Sequence, residues 1–326
     1  MTKRAFTFPG QGSQAVGMGK DLADSYQEAR NVFAEVDEAL GQKLSTIMFE
    51  GPEDTLRLTE NAQPALMAVS VAVTRVLESR GVALKTHAAY VAGHSLGEYS
   101  ALAAAGAFSL ADAARLLKIR GQAMQQAVPV GQGAMAAILG LDLETVLKAV
   151  NDAADGEVCG VANDNAPGQV VISGNLAAVN RAIELLKAAG AKRALPLPVS
   201  APFHCALMQP AAEAMAEALN AVTVHAPVVP LVANVVAAPI SDPEEIKKRL
   251  VEQVTGMVRW TECVNWLVQQ GGVTQLVELG SGKVLAGLAK RIAPETPAVS
   301  VGTPSDVDAF SRPSPESDSE KEPPNV

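Results

Sequence analysis

Between residues 91 and 102 the chain reads Val-Ala-Gly-His-Ser-Leu-Gly-Glu-Tyr-Ser-Ala-Leu. A short apolar run meets Gly93, and four residues later Gly97 opens a helix-forming run. The pattern G-x-S-x-G in that context predicts a buried strand, a sharp turn and a helix, with Ser95 lifted clear at the apex. Such a strand-to-helix step belongs to α/β folds. The composition agrees, because 48% hydrophobic residues with only 4% aromatic suit many close-packed, alanine-rich helices. On this reading Ser95 is a nucleophile, and the Leu96 N–H points from the helix N-terminus toward any oxyanion formed on a substrate. The competing reading is a serine that only caps the helix.

Around this segment the chain divides unevenly. Residues 4–8 read as a short strand entering a glycine-rich loop, helical patterns run to about residue 80, and residues 87–92 form the strand before the turn. A further helix starts near Ser109, with Asp112 three residues on. From Gly133 to Val199 the texture changes to strand, helix, two strands joined by an Asn/Pro/Gly turn, an amphipathic helix opened by Asn175, and a last strand. The order βαββαβ is that of a ferredoxin-like unit. The expected architecture is α/β: a large α/β-hydrolase-like domain with a parallel sheet core, residues 1–127 and 199–302, with an inserted ferredoxin-like smaller domain at 128–198. Residues 303–326 are rich in Pro, Ser, Asp and Glu and are read as a disordered acidic tail.

Bulk properties narrow the function. The net charge of −9 argues against a nucleic-acid groove. There is no apolar run of the roughly 18 residues a membrane helix needs, and a cytoplasmic location is the default. Cys159, Cys205 and Cys263 are too few and scattered for a disulfide framework or a zinc site. The early loop, with Gly10, Gly12 and Ala15, loosely resembles a dinucleotide fingerprint, and Glu35 lies at a tempting distance. That acidic residue falls in a helical pattern where a second strand is required, so the loop is read as a tight turn, or as one that leaves a backbone N–H facing an active site.

A serine nucleophile needs a base, and the chain holds four histidines. His94 is adjacent to Ser95, and in such a turn its side chain should point away, so it is expected to pack. His87 is expected to open the strand facing solvent, and His225 to sit in a strand. His204 lies where the chain returns from the inserted domain, a usual place for a cleft rim, and is the expected base; a buried structural histidine is the alternative. Cys205 beside it is read as a small packed residue. Arg120 falls beside the apolar stripe of its helix and leans inward. A buried guanidinium needs an anion, which is either a structural salt-bridge partner or a substrate carboxylate gripped bidentately.

The segments FPGQGSQ, NAQPAL, GHSLGEYSAL, Arg120, NAPGQVVISG, SAPFHCALM, LVEQVTGMVRW and ELGSGKVLAGL occur in the order seen in malonyl-CoA:acyl carrier protein transacylases. The chain resembles that family over about residues 4 to 300. The family form has proline where Ser281 stands, a position outside the assigned roles. The resemblance implies that Ser95 accepts the acyl group with His204 as its base, and that Gln11 and Leu96 supply backbone N–H groups to the oxyanion. It implies that Arg120 binds the malonyl carboxylate and that Gln253 orients His204 through its main-chain carbonyl. Gln63 and Asn163 match polar positions near the pocket. No metal or cofactor is implied. The substrates are malonyl-CoA and a phosphopantetheinylated acyl carrier protein, with transfer through a malonyl-serine in fatty acid supply. Lys192, Arg193, Lys290 and Arg291 are candidate contacts for the acidic carrier. A monomer is expected, without nucleic acid or membrane partners. The alternatives are a serine thioesterase or hydrolase, which has no need of Arg120, a polyketide-pathway acyltransferase, and a non-catalytic binding module.

Overall fold

The computed structural model describes residues 2–199 and 201–312. Ten strands occur among them: β1 (Arg4–Phe8), β2 (Tyr90–Gly93), β3 (Gly133–Leu139), β4 (Cys159–Ala166), β5 (Gln169–Asn175), β6 (Arg193–Pro196), β7 (Leu231–Ala233), β8 (Ala238–Ile240), β9 (Gln275–Leu279) and β10 (Ala298–Val301). They form two sheets. The larger has the order β10-β9-β1-β2-β7-β8. All its pairings are parallel except the edge pair β7–β8. Parallel strands must be joined by crossovers, and the helices that make them cover both faces. The central strands are accordingly apolar without alternation: Ala5, Phe6 and Phe8 on β1 and Val91 and Ala92 on β2 are all buried.

The smaller sheet is antiparallel with the order β4-β5-β3-β6, the ferredoxin-like arrangement. Helices Leu143–Ala154 and Leu176–Ala188 pack on it and enclose a separate core that includes Ile138, Val150, Ile172 and Leu186. Asp142 caps the first of these helices through the Thr145 N–H. Asn175 stands at the start of the second, but its side chain accepts the Val158 N–H instead. Strand β4 is bulged between Val161 and Asn163 and again between Asp164 and Ala166. There it meets the larger unit. Val258 donates to Ala162 O at 2.8 Å and accepts from Asp164 N–H at 3.0 Å.

Two long helices flank the elbow. Thr59–Ser79 is almost wholly buried, and Leu110–Gln126 crosses it at Gly121. A Cβ at Gly121 would lie 2.5 Å from Glu60 Cα, so only glycine permits this approach. Ser109 caps the crossing helix through the Asp112 N–H, as the spacing predicts.

Three expectations need correction. The chain does not lose order at residue 303. Helix Pro304–Ser311 follows β10, opened by a reciprocal Thr303–Asp306 cap. Its Val307 is fully buried and Phe310 packs edge-on against Phe6 at 6.3 Å. These two apolar residues, three apart on one face, suffice to dock a short helix, whereas residues 313–326 of the expected tail lie outside the described residues. His87 ends a short helix, Leu84–His87, rather than opening β2. His225 lies in a loop, where its N–H donates to Ala107 O.

Candidate active site

The chain turns from β2 into helix Gly97–Ala104 through Ser95, whose φ of 54° lies in the left-handed region. For a non-glycine residue this conformation costs about 1–3 kcal/mol and persists only where the surroundings fix it. Steric room comes from the flanking glycines. A Cβ at Gly93 would fall 1.9 Å from the Gly97 carbonyl, and one at Gly97 would fall 2.3 Å from Phe8 O. Hydrogen bonds hold the apex. The Ser95 N–H donates to Asn234 Oδ1 at 2.8 Å, and Gln253 Nε2 donates to Ser95 O at 2.9 Å. The Leu96 N–H follows at the helix start, among the donors that have no acceptor within the helix.

His204 reaches this apex from residue 204 of the chain, with Nε2 2.8 Å from Ser95 Oγ. Its Nδ1 faces two carbonyls, Gln253 O at 2.8 Å and Gly256 O at 3.1 Å. Carbonyls only accept, so the ring proton sits on Nδ1 and Nε2 is left to accept from the serine hydroxyl. Burial, reinforced by the charge of Arg120, pushes the imidazole down to about 3, against the pull of the two carbonyls. The ring is therefore neutral at ordinary pH.

Arg120 is 1% exposed and lines the same cavity. Its Nη1 donates to Gln63 Oε1 at 2.7 Å, and Nη2 donates to Gln253 Oε1 at 2.9 Å and to Ser95 Oγ at 3.1 Å. Among the described residues its Nε has no partner and no Asp or Glu comes within ion-pair distance. The structural salt-bridge reading of Arg120 is thereby excluded among these residues. What remains is a desolvated cation facing a cavity, an arrangement that favours an incoming anion.

The cavity, of about 670 Å³, opens beyond the carboxyl ends of β1 and β2. Ser95, His204 and Arg120 line it, with Gln11 on the loop after β1, Gln63 on helix Thr59–Ser79 and Asn163 on β4. Met124, Met135, Val171 and Phe203 supply apolar wall. Gln253 stands behind His204, fully buried. A polar relay joins the two ends: Gln63 Nε2 donates to Thr59 Oγ1 at 2.9 Å, and Thr59 Oγ1 donates to Gln11 Oε1 at 3.0 Å. His94 also lines the cavity, donating or accepting with Asn165 Oδ1 at 2.8 Å while its ring packs 5.6 Å from Trp260. Cys205 is buried, its Sγ directed to Pro202 O at 3.2 Å, and burial pushes its thiol up.

Sequence reasoning missed Asn234, Glu98, Thr59, Asn165 and the Gly256 carbonyl. Asn234 and Gly256 carry no local motif, and each acts across more than 50 residues of chain. The four surface cations expected to meet a partner, Lys192, Arg193, Lys290 and Arg291, are all exposed. Arg291 also donates to Gln169 Oε1 at 2.6 Å and Pro167 O at 2.8 Å, bracing the β4–β5 turn. No group of three or more His, Cys, Asp or Glu residues among those described could hold a metal ion. No helix among them is long and apolar enough to cross a membrane.

Comparison with known proteins agrees with this geometry. Residues 5–280 match the acyl transferase domain family. The chain is 50% identical over 305 residues to the malonyl CoA-acyl carrier protein transacylase of Escherichia coli (strain K12), covering 94% of this chain and 97% of that protein. It superposes on the acyl-carrier-protein-S-malonyltransferase of Bartonella henselae with a TM-score of 0.93 at 58% identity, over 95% and 98% of the two chains. A malonyl-transacylase solved in complex with a type II PKS acyl-carrier protein matches with a TM-score of 0.91 at 45% identity, over 94% and 98% of the chains. An elbow serine, a neutral histidine and a desolvated arginine in one cavity, on this fold and at this likeness, lead to one assignment: the chain belongs to the acyl transferase domain family, among the malonyl CoA-acyl carrier protein transacylases.

Proposed function

We propose that the protein transfers the malonyl group from malonyl-CoA to the phosphopantetheine thiol of an acyl carrier protein, with Ser95 as the carrier of the acyl group between two half-reactions. The observation that carries this reading is Arg120: a buried guanidinium without a protein carboxylate, 3.1 Å from the hydroxyl that the catalytic pair activates. A neutral acyl group would leave that charge unmatched, whereas the free carboxylate of malonate matches it.

The geometry of Ser95, His204 and Arg120 supports the following steps. Arg120 takes the malonyl carboxylate and sets the thioester carbonyl over Ser95. His204 Nε2 removes the hydroxyl proton as Oγ attacks, and the N–H groups of Gln11 and Leu96 receive the oxyanion. The C–S bond breaks, and His204 returns its proton to the CoA sulfur. A thiol of pKa ~8.5 leaves readily, so a weakly basic imidazole suffices. The carrier thiol then enters, His204 takes its proton, and the steps run in reverse to restore the serine. One thioester replaces another, so the exchange is near thermoneutral. Gln63 steadies Arg120, and Asn163 offers a polar contact to the acyl or pantetheine portion. Lys192, Arg193, Lys290 and Arg291 are the proposed contacts for the acidic carrier. A monomer in the cytoplasm, needing no metal or cofactor, completes the reading.

Incubation with malonyl-CoA followed by intact-mass measurement tests it. One malonyl adduct is expected on the wild type and none on Ser95→Ala. An equal adduct on both proteins, or none on either, removes the enzyme reading. A hydrolase of neutral thioesters would tolerate Arg120→Ala and pass its acyl group to water.

A further inference from the structure

A buried acid that these steps do not use stands beneath the elbow. Glu98, in the first turn of helix Gly97–Ala104, is 1% exposed. Its Oε1 accepts the Asn234 N–H at 2.6 Å, and its Oε2 accepts from Gln253 Nε2. Those two residues are the ones that grip the Ser95 backbone, and Asn234 Nδ2 in addition donates to Gly93 O at 2.8 Å. The far end of the Gln253 amide, Oε1, accepts from Arg120 Nη2 at 2.9 Å.

The donor and acceptor pattern of this set admits one orientation. Turning the Gln253 amide over would press Nε2 against the guanidinium and Oε1 against both a Glu98 oxygen and Ser95 O. Both Glu98 oxygens meet N–H donors, the pattern of an ionised carboxyl. Burial, the largest influence, pushes its carboxyl up to about 8, against the pull of those donors and of the Arg120 charge. Arg120 and Glu98 are thus a cation and an acid joined through one amide rather than in direct contact. This leaves the remaining guanidinium donors for a ligand.

We infer that Glu98 is a positioning residue: through the Gln253 amide it sets Arg120 to receive the substrate carboxylate. The inference rests on the role given to Arg120 above and adds the group that aims it. Glu98→Gln preserves size and burial but turns one accepting oxygen into an NH₂ that must face either the Asn234 N–H or the Gln253 amide. Relief comes from rotating that amide, which brings a donor against Arg120.

The test measures kcat/KM for malonyl-CoA and for acetyl-CoA, with a holo acyl carrier protein as acceptor. The proteins compared are the wild type, Glu98→Gln, Arg120→Ala and the double variant. Any slackening of the serine turn lowers both donors alike and cancels in their ratio. Loss of one charge-assisted contact should lower the malonyl-to-acetyl ratio of Glu98→Gln about ten-fold. In the Arg120→Ala background, adding Glu98→Gln should leave the ratio unchanged. An unchanged ratio in the single variant, or a shift that persists without Arg120, overturns the inference. Should Glu98→Gln fail to fold, Gln253→Met cuts the same bridge while keeping the main-chain carbonyl on His204. It should lower the ratio likewise, and an unchanged ratio again overturns the inference. Failure of the functional reading would look different: the wild type would show no malonyl preference and no malonyl adduct.

Discussion

His204 works without a carboxylate behind it among the described residues; two carbonyl oxygens fix its tautomer. Its basicity is therefore set by burial and by the neighbouring guanidinium, and both hold it low. Removing the guanidinium should release part of that depression. In Arg120→Ala the His204 pKa should rise, as read by NMR titration of the ring. The same depression links pH to folding. The unfolded imidazole takes its proton near ~6.5 and the folded one only near about 3. Between those values the unfolded state holds the extra proton, so this residue's contribution is full above about 6.5 and fades as pH falls toward 3. Urea titrations at pH 7 and pH 5 should show a smaller fall in stability for His204→Gln than for the wild type. At this scale the sequence yields the serine, through a local pentapeptide, and the inward lean of Arg120, through helical spacing. Asn234 and Glu98 stay hidden, since their importance lies in contacts that only the tertiary fold creates.

The helices of the elbow and of Arg120 owe their placement to glycines that let backbones touch. At Gly121 two effects compete. Alanine favours a helix interior by about 1 kcal/mol over glycine. A new methyl 2.5 Å from Glu60 Cα meets backbone that cannot swing aside, and overpacking of this kind costs about 1–3 kcal/mol. The clash should win. Gly121→Ala should lower the denaturant midpoint and, by parting the helices, weaken the Arg120–Gln63 contact and raise KM for malonyl-CoA. Elements with strong local patterns were legible: the βαββαβ run of alternating strands and amphipathic helices, and the capped helix after Ser109. Helix Pro304–Ser311 was not, because it is only eight residues long, half of them Ser or Asp, and its two anchors, Val307 and Phe310, find their pocket only against Phe6 and its neighbours. Full burial of such a side chain is worth about 1.5–3 kcal/mol; Val307 gains that, and the partly buried Phe310 gains less. A chain ending at Gly302 should melt several degrees lower in calorimetry yet keep its malonyl transfer rate at 25 °C.

Taken whole, the molecule closes a cavity between two sheets; the smaller has a core of its own on one face, while its Met135, Ala162 and Val171 join the large core. The seam at Val258 brings bulged β4, with Asn163 and Asn165, up to the elbow of the larger sheet. On the proposed carrier contacts, charge-reversal at Lys192 and Arg193 together should raise KM for the carrier at low salt while leaving malonyl loading of Ser95 unchanged. Transfer rates over a salt series check this, since exposed charges are screened within about 10 Å at 0.1 M. The guanidinium at the inner end has a consequence for the resting protein. A cleft that ends in a guanidinium touched by no carboxylate attracts small solutes of opposite sign whenever no thioester occupies it. Chloride, bicarbonate and free dicarboxylates then become rivals of the substrate, and throughput comes to report the ionic background in which the protein turns over.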